Sequence, residues 1–315
     1  MSADASPPNI PVVSAGEERP LAAAGVIMLA MFMLGILDSS VAVIARDTGL
    51  WQFHFIRSVL ACLLILGLAK AGVVRITPLR HWAVALRGGL TGLSMLFYFG
   101  CLAFLPLGQV AAGLFTAPIW VMIISALFLG QPIGATRLSA AVLGFAGVLM
   151  VLRPFETGLE PLAILPMVAG FFYALGALAT RQFCAGESTF SMLLYFFLSL
   201  GVFGLLGTVG MTLWPHDVPA GAEGFILRGI GPIGGVSVLL TITQAVGSII
   251  AVGLIFRGYQ LGEAGQVAIY EYSLLIFAAG WSYVLFSEPT GLMPAIGMGL
   301  IILSGIVISV RSRNR

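Results

Sequence analysis

Residues 108–132 read GQVAAGLFTAPIWVMIISALFLGQP, and residues 265–289 read GQVAIYEYSLLIFAAGWSYVLFSEP. The letters Gly-Gln-Val-Ala at 108–111 return at 265–268, 157 positions on. The same step carries Ser125 onto Ser282, Gln131 onto Glu288 and Pro132 onto Pro289. Each stretch is an apolar run of about 20 residues, the length that crosses a bilayer core as a helix. Each also leads into a glycine-containing apolar segment, 136–152 or 291–310. The pattern reads as a duplicated membrane unit.

Extending the reading in both directions gives ten apolar segments: 21–45, 50–69, 82–104, 108–129, 136–152, 161–180, 190–213, 232–256, 264–286 and 291–310. They are too long for tilted barrel strands of about 9–11 residues, so the backbone satisfies itself in helices. Composition agrees: 59% of residues are hydrophobic and 9% charged, against roughly 45–50% and 25% in soluble domains. Halving the ten helices puts an odd number in each copy, so the second copy enters the membrane from the opposite side. Inverted five-helix repeats place a substrate site near the midplane between them. The domain reading is a disordered cytoplasmic tail over 1–20, repeats over 21–152 and 161–310, and a basic cytoplasmic tail over 311–315. The linker 214–231, with Trp214, Pro215 and Pro219, is expected to hold a short interfacial turn.

Basic residues orient the chain by the excess of Lys and Arg in cytoplasmic loops. With both termini inside, Arg19, Lys70, Arg75, Arg80, Arg87, Arg137, Arg181, Arg257, Arg311, Arg313 and Arg315 fall on the cytoplasmic side. Arg46, Arg153 and Arg228 fall outside, and Arg57 lies within a helix. The first apolar run lacks a basic start and exceeds the h-region of a signal peptide, so it is expected to remain as a helix. The location read from this is the cell inner membrane, multi-pass. Forty glycines, with spacings such as Gly88/Gly92 and Gly231/Gly235, are expected to let helices approach closely.

Charges at bilayer depth are costly and point to function. Three lie well inside segments: Asp38, Arg57 and Glu271. At a rise of about 1.5 Å per residue, Asp38 falls about 7 Å and Arg57 about 4 Å outward of their helix centres, close enough in depth to pair. Arg57 is read as an anchor for an anionic or carbonyl-bearing group, oriented by Asp38; a purely structural lock is the alternative. His54, one turn before Arg57, is a candidate proton relay. Glu271 falls about 6 Å inward between Tyr270 and Tyr272, with Gln266 five residues earlier, and is the first choice for a proton-coupled carboxylate. Pro118 is expected to kink its helix by clashing with the Leu114 carbonyl. Thr116, Trp120, Thr91, Ser94, Tyr98, Tyr173, Thr241, Thr243 and Gln244 are candidate cavity lining, Tyr98, Trp120, Tyr173 and Gln244 foremost.

On Asp38, Arg57 and the two quoted stretches, the chain resembles the drug/metabolite transporter superfamily, in its ten-helix EamA-type branch, over about residues 21–310. The aromatic-Glu-Tyr element at 270–272 is similar to a subgroup linked to uptake of riboflavin or S-adenosylmethionine. The resemblance implies an all-α secondary transporter of a small organic metabolite. The chain departs from the family pattern at Gln131, where an acidic residue often ends helix 4, and near Ala42, where a basic residue commonly stands. Leu275 occupies in helix 9 the place of Pro118 in helix 4.

The rival classes lack their motifs. There is no HExxH, GxSxG, P-loop or cysteine pair, so the chain reads as no enzyme, with no cofactor and no metal. Cys62, Cys101 and Cys184 read as apolar fillers, and no basic stripe marks a nucleic-acid partner. The expected partners are the lipid bilayer and a small-molecule substrate. An exporter of amino acids or drugs is the runner-up, and a membrane sensor or scaffold without transport the third reading.

Overall fold

An apolar chain in hydrocarbon must close its hydrogen bonds within each segment, and the described residues form helices joined by turns and loops, with no strand among them. This computed structural model describes residues 20–130, 135–153, 161–214, 217–261, 270–287 and 289–313. The tail 1–19, Gln131, Pro132, the repeated 265–268 with Gln266, and Glu288 lie outside them.

The helices are α1 (Pro20–Ser39), α2 (Val41–Ile44), α3 (Leu50–Lys70), α4 (His81–Cys101), α5 (Leu107–Leu114), α6 (Ala117–Leu129), α7 (Ala135–Leu152), α8 (Pro161–Phe183), α9 (Thr189–Leu213), α10 (Gly235–Leu261), α11 (Ser273–Phe286) and α12 (Leu292–Arg313). Among the described residues, seven stretches are long and apolar enough to cross a membrane: Leu21–Ile44, Leu50–Lys70, His81–Cys101, Leu107–Phe128, Ile164–Phe183, Thr189–Leu213 and Gly235–Ile255. Three shorter apolar helices, Leu138–Leu152, Ser273–Phe286 and Leu292–Val307, accompany them. Large apolar side chains such as Leu63, Leu127, Phe128, Leu206 and Val284 face outward, as lipid-facing surfaces require. The chain is a multi-pass membrane protein.

Packing is dense around a few partnerships. α4 lies on α8 and α9, α3 on α9 and α10, α1 on α10 and α11, α5 on α8 and α11, α6 on α8, and α7 on α12. Small residues set the closest of these. A Cβ on Gly88 would meet the Tyr195 carbonyl at 2.8 Å, and one on Gly113 would fall 2.2 Å from the Pro166 ring. Gly231 and Gly235, by contrast, have open space around them, and only Gly235 is helical, as the first residue of α10. That spacing makes no helix contact, because one member precedes the helix.

The helix around Pro118 breaks at Phe115–Thr116, between α5 and α6. Pro118 sits in the first turn of α6, where a missing N–H costs nothing. The chain is likewise interrupted at Tyr272, just before α11, where no proline stands. The 217–234 segment forms more than a turn. After a 3-10 turn (Gly221–Gly224) it drives Phe225, fully buried, into the core beside Leu50, Phe53 and Phe99. Its backbone is held by Trp51 and Gln52 of α3 through the carbonyls of Ile226 (2.7 Å) and Gly231 (2.9 Å), while Arg228 donates to the Ala45, Thr48 and Gly221 carbonyls.

Candidate functional site

Asp38 stands in the last turn of α1, where the helix breaks at Ser40. The break concentrates donors on one carbonyl: the backbone N–H and hydroxyl of Ser40 both reach Leu37 O. Gln244 of α10 adds its side-chain N–H to the same oxygen at 2.5 Å. This ties α10 to α1 beside the carboxylate. Tyr98 of α4 donates its hydroxyl to Asp38 Oδ2 at 2.8 Å. Asp38 is only 8% exposed, and it borders a half-open cavity of about 280 Å³ shared with Ser39, Arg46, Phe104, Ala222 and Ser282.

Arg57 is buried on α3 behind this floor. Its Nη2 donates to Ser248 Oγ at 2.8 Å, and Ser248 in turn donates to the Gln244 carbonyl at 2.5 Å. The guanidinium carbon lies 4.7 Å from the Phe99 ring centre, 5.7 Å from Phe197 and 5.8 Å from Phe53, a desolvated cation among quadrupoles. Arg57 Nε and Nη1 have no hydrogen-bond partner. His54, one turn earlier, is fully buried, packs edge-on against Phe99 at 5.0 Å and leaves both ring nitrogens without partners.

The expected direct Asp38–Arg57 pair is therefore corrected. The carboxylate is engaged by tyrosine and the guanidinium by serine, and the two act on each other as charges without forming an ion pair. Depth alone could not set the contact, because Tyr98 and Ser248 come from helices that only the packing brings alongside.

Of the remaining predicted residues, Tyr270, Glu271 and Tyr272 stand at the start of α11, Tyr173 on α8 and Trp120 on α6. Tyr270, Glu271 and Tyr272 are each half-buried. Tyr272 stacks on Phe115 with ring centres 4.9 Å apart and planes 29° apart. Tyr270 packs with Ala23, Ile27 and Leu274. Tyr173 on α8, 43% exposed, lies within electrostatic reach of Glu271 and Arg87. Trp120 packs edge-on against Phe171 at 5.3 Å, with its indole N–H buried and without a partner.

The structure thus sorts the ten residues into one set near Asp38 (Asp38, His54, Arg57, Tyr98, Gln244), a second at the start of α11 (Tyr173, Tyr270, Glu271, Tyr272), and Trp120 apart on α6 against Phe171. Three polar candidates donate within their own turn, Thr116 to Gly113 O, Thr241 to Ser237 O and Thr243 to Leu239 O on an exposed face. Ser94 of α4 donates to Ala169 O of α8 and ties the two helices together. Ser248, Phe99, Phe197 and Phe115 were not singled out from the sequence. Ser248 had a signal: Thr241, Gln244 and Ser248 recur at helical spacing on one face of an otherwise apolar helix. The phenylalanines had none among 21.

A half-open cleft with charged and hydroxyl side chains in its lining, inside a bundle of apolar helices, suits solute passage, and comparison with known proteins agrees. Residues 21–153 match the model of the EamA-like transporter family. The chain resembles the EamA-like transporter family over that stretch. A pseudopaline exporter of Pseudomonas aeruginosa is 27% identical over 287 residues, spanning 90% of this chain and 94% of its own. A riboflavin transporter of Vibrio cholerae is 27% identical over 63% of this chain and 61% of its own. An S-adenosylmethionine uptake transporter of Rickettsia felis is 26% identical over 66% and 65%. One crystal structure matches at a TM-score of 0.58 and 17% identity, over 94% of this chain and 100% of that one, a likeness of fold. Named transporters thus recur among the proteins this chain is similar to, which supports a transport function.

Proposed function

We propose that the protein is a secondary active transporter of a small organic metabolite in the cell inner membrane, alternating access by rocking two inverted five-helix halves about a central site. The observation that carries this reading is the symmetry of the packing. Let α1 with α2, α3, α4, α5 with α6, and α7 be crossings 1 to 5, and let α8, α9, α10, the crossing that ends in α11, and α12 be 6 to 10. The contact of α4 with α8 then has its image in α10 with α1, and that of α4 with α9 in α10 with α3. The α5–α6 contact with α8 corresponds to α11 with α1, while α3 on α9, α7 on α12 and α5 on α11 are their own images.

Two described places related by the 157-residue step support it further. Gly130 and Ser287, one step apart, are both left-handed helix ends, and their N–H groups donate to the carbonyls of Ser125 and Ser282, also one step apart. A Cβ on Gly147 would fall 2.6 Å from Gly297 O. The image of that contact is Ser304 Oγ on Ala140 O, at 2.6 Å. Two copies joined in this way, with both termini cytoplasmic, are what supports ten crossings in two repeats.

In this reading the Asp38–Tyr98 cavity receives substrate from the side of Arg46. Arg57, His54 and Gln244 form the charged wall behind it. Glu271 with Tyr173, Tyr270 and Tyr272 serves the opposite side, with Glu271 carrying the coupled proton; Trp120 lines the passage. Riboflavin-like and S-adenosylmethionine-like compounds are the first substrates to try, from the names of the partial relatives. One relative matched along nearly its whole length is named an exporter, and this favours a second reading, export of an amino-acid-like or drug-like compound. A thermal-shift screen of purified protein against flavins, S-adenosyl compounds, aromatic amino acids and nucleosides tests the substrate class. A dose-dependent shift lost in Glu271→Gln or Arg57→Ala supports the site; no shift for any compound in folded protein removes these substrates.

A further inference from the structure

Phe115 and Tyr272 are one 157-residue step apart, and they stack on each other at 4.9 Å. Two residues that exchange places under a two-fold axis can touch only on that axis. The contact therefore marks where the axis runs between the two halves. Each residue also sits at an interruption of its helix: Phe115 opens the break between α5 and α6, and Tyr272 directly precedes α11. Phe115 lies about midway along Leu107–Phe128, so the stack lies near mid-membrane. The Asp38 cavity and the Glu271–Tyr173 group belong to opposite sides of it in the reading above.

Behind the stack, α7 and α12 supply Val148, Val151, Met298 and Ile301 to the buried cluster against which both rings pack. The two copies differ at one step-related pair. The first has Val148 in this cluster, whereas the second has Gly305, where a Cβ would lie 2.1 Å from the Tyr272 ring. No such approach occurs between real atoms, so the tyrosine ring is seated in the space that glycine leaves.

We propose that the Phe115–Tyr272 stack is the selectivity barrier of the transporter, the aromatic pair that a transported molecule must part at the midplane, with Gly305 seating its tyrosine half. The two helix interruptions give each ring its own hinge, so the halves separate by unstacking rather than by bending intact helices. A barrier of two rings favours solutes with a flat face that takes the place of one ring in the stack. This inference rests on the two-fold transporter reading, but its test needs no substrate.

The test is the permeability of proteoliposomes holding the full-length protein to glycerol and urea, followed by stopped-flow light scattering. The Phe115→Ala/Tyr272→Ala double variant is expected to pass both probes several-fold faster than wild type, while Tyr272→Phe stays as tight as wild type. Gly305→Ala, which adds one methyl in the tyrosine seat, should leak measurably with both rings present. If the double variant lacks a cooperative unfolding transition, Gly305→Ala decides alone. A folded double variant, or in its absence a folded Gly305→Ala, as tight as wild type overturns the barrier. Tight variants in a protein that still exchanges solute refute the barrier alone; leaking variants in a protein that exchanges none refute the carrier reading and keep the barrier.

Discussion

Tyr98 and Ser248 each satisfy a buried charge from a neighbouring helix, and their removal should cost more than an ordinary hydroxyl. A hydrogen bond to a charged group contributes about 1.5–3 kcal/mol. Tyr98→Phe, which deletes only the donor to Asp38, is expected to lower the thermal unfolding midpoint by that measure, and an unchanged midpoint would show the carboxylate to be held otherwise. Arg57→Lys should weaken folding or ligand binding nearly as much as Arg57→Ala. Lysine offers no planar group for the three phenylalanine faces and cannot spread donors toward Ser248 in the same geometry. The charges themselves were legible in the sequence, since Asp38, Arg57 and Glu271 are conspicuous in runs with so few charges. Their partners were not, because which helices neighbour which is written in the packing of small residues rather than in any local pattern.

Helix ends and close contacts make sharper predictions about stability. Ser287 ends α11 in the left-handed region at φ 56°, where its counterpart Gly130 stands at φ 62°. A non-glycine residue there carries a steric cost that glycine avoids. Ser287→Gly is therefore expected to raise stability by about 0.5–1 kcal/mol, read as a higher unfolding midpoint; a lower midpoint would contradict the cap. Gly113→Val should do the reverse. Its side chain would collide with Pro166 of α8, and overpacking of this kind costs about 1–3 kcal/mol. The apolar runs revealed nearly every helix, because length and hydropathy suffice for that. The break before α11 stayed hidden: no proline marks Tyr272, and the chain yields there because its ring is anchored against Phe115 and the seat at Gly305.

At the scale of the molecule, the account makes one protein of two copies turned against each other, with a site between them. If Glu271 carries the coupled proton, Glu271→Gln should abolish the pH dependence of transport while the protein still folds, and an unchanged pH profile would remove that role. The proposed duplication was legible as a four-letter repeat and its downstream matches. The proposed two-fold axis was not, because it can be sought only by comparing contacts with their images. The most direct test of the central claim is solute counterflow in proteoliposomes preloaded in turn with riboflavin, S-adenosylmethionine and aromatic amino acids. A carrier of this kind should show saturable uptake of a labelled compound that requires the same compound inside and is lost in Glu271→Gln or Arg57→Ala. Folded, reconstituted protein that exchanges none of the panel, or uptake that does not depend on internal solute, would contradict it.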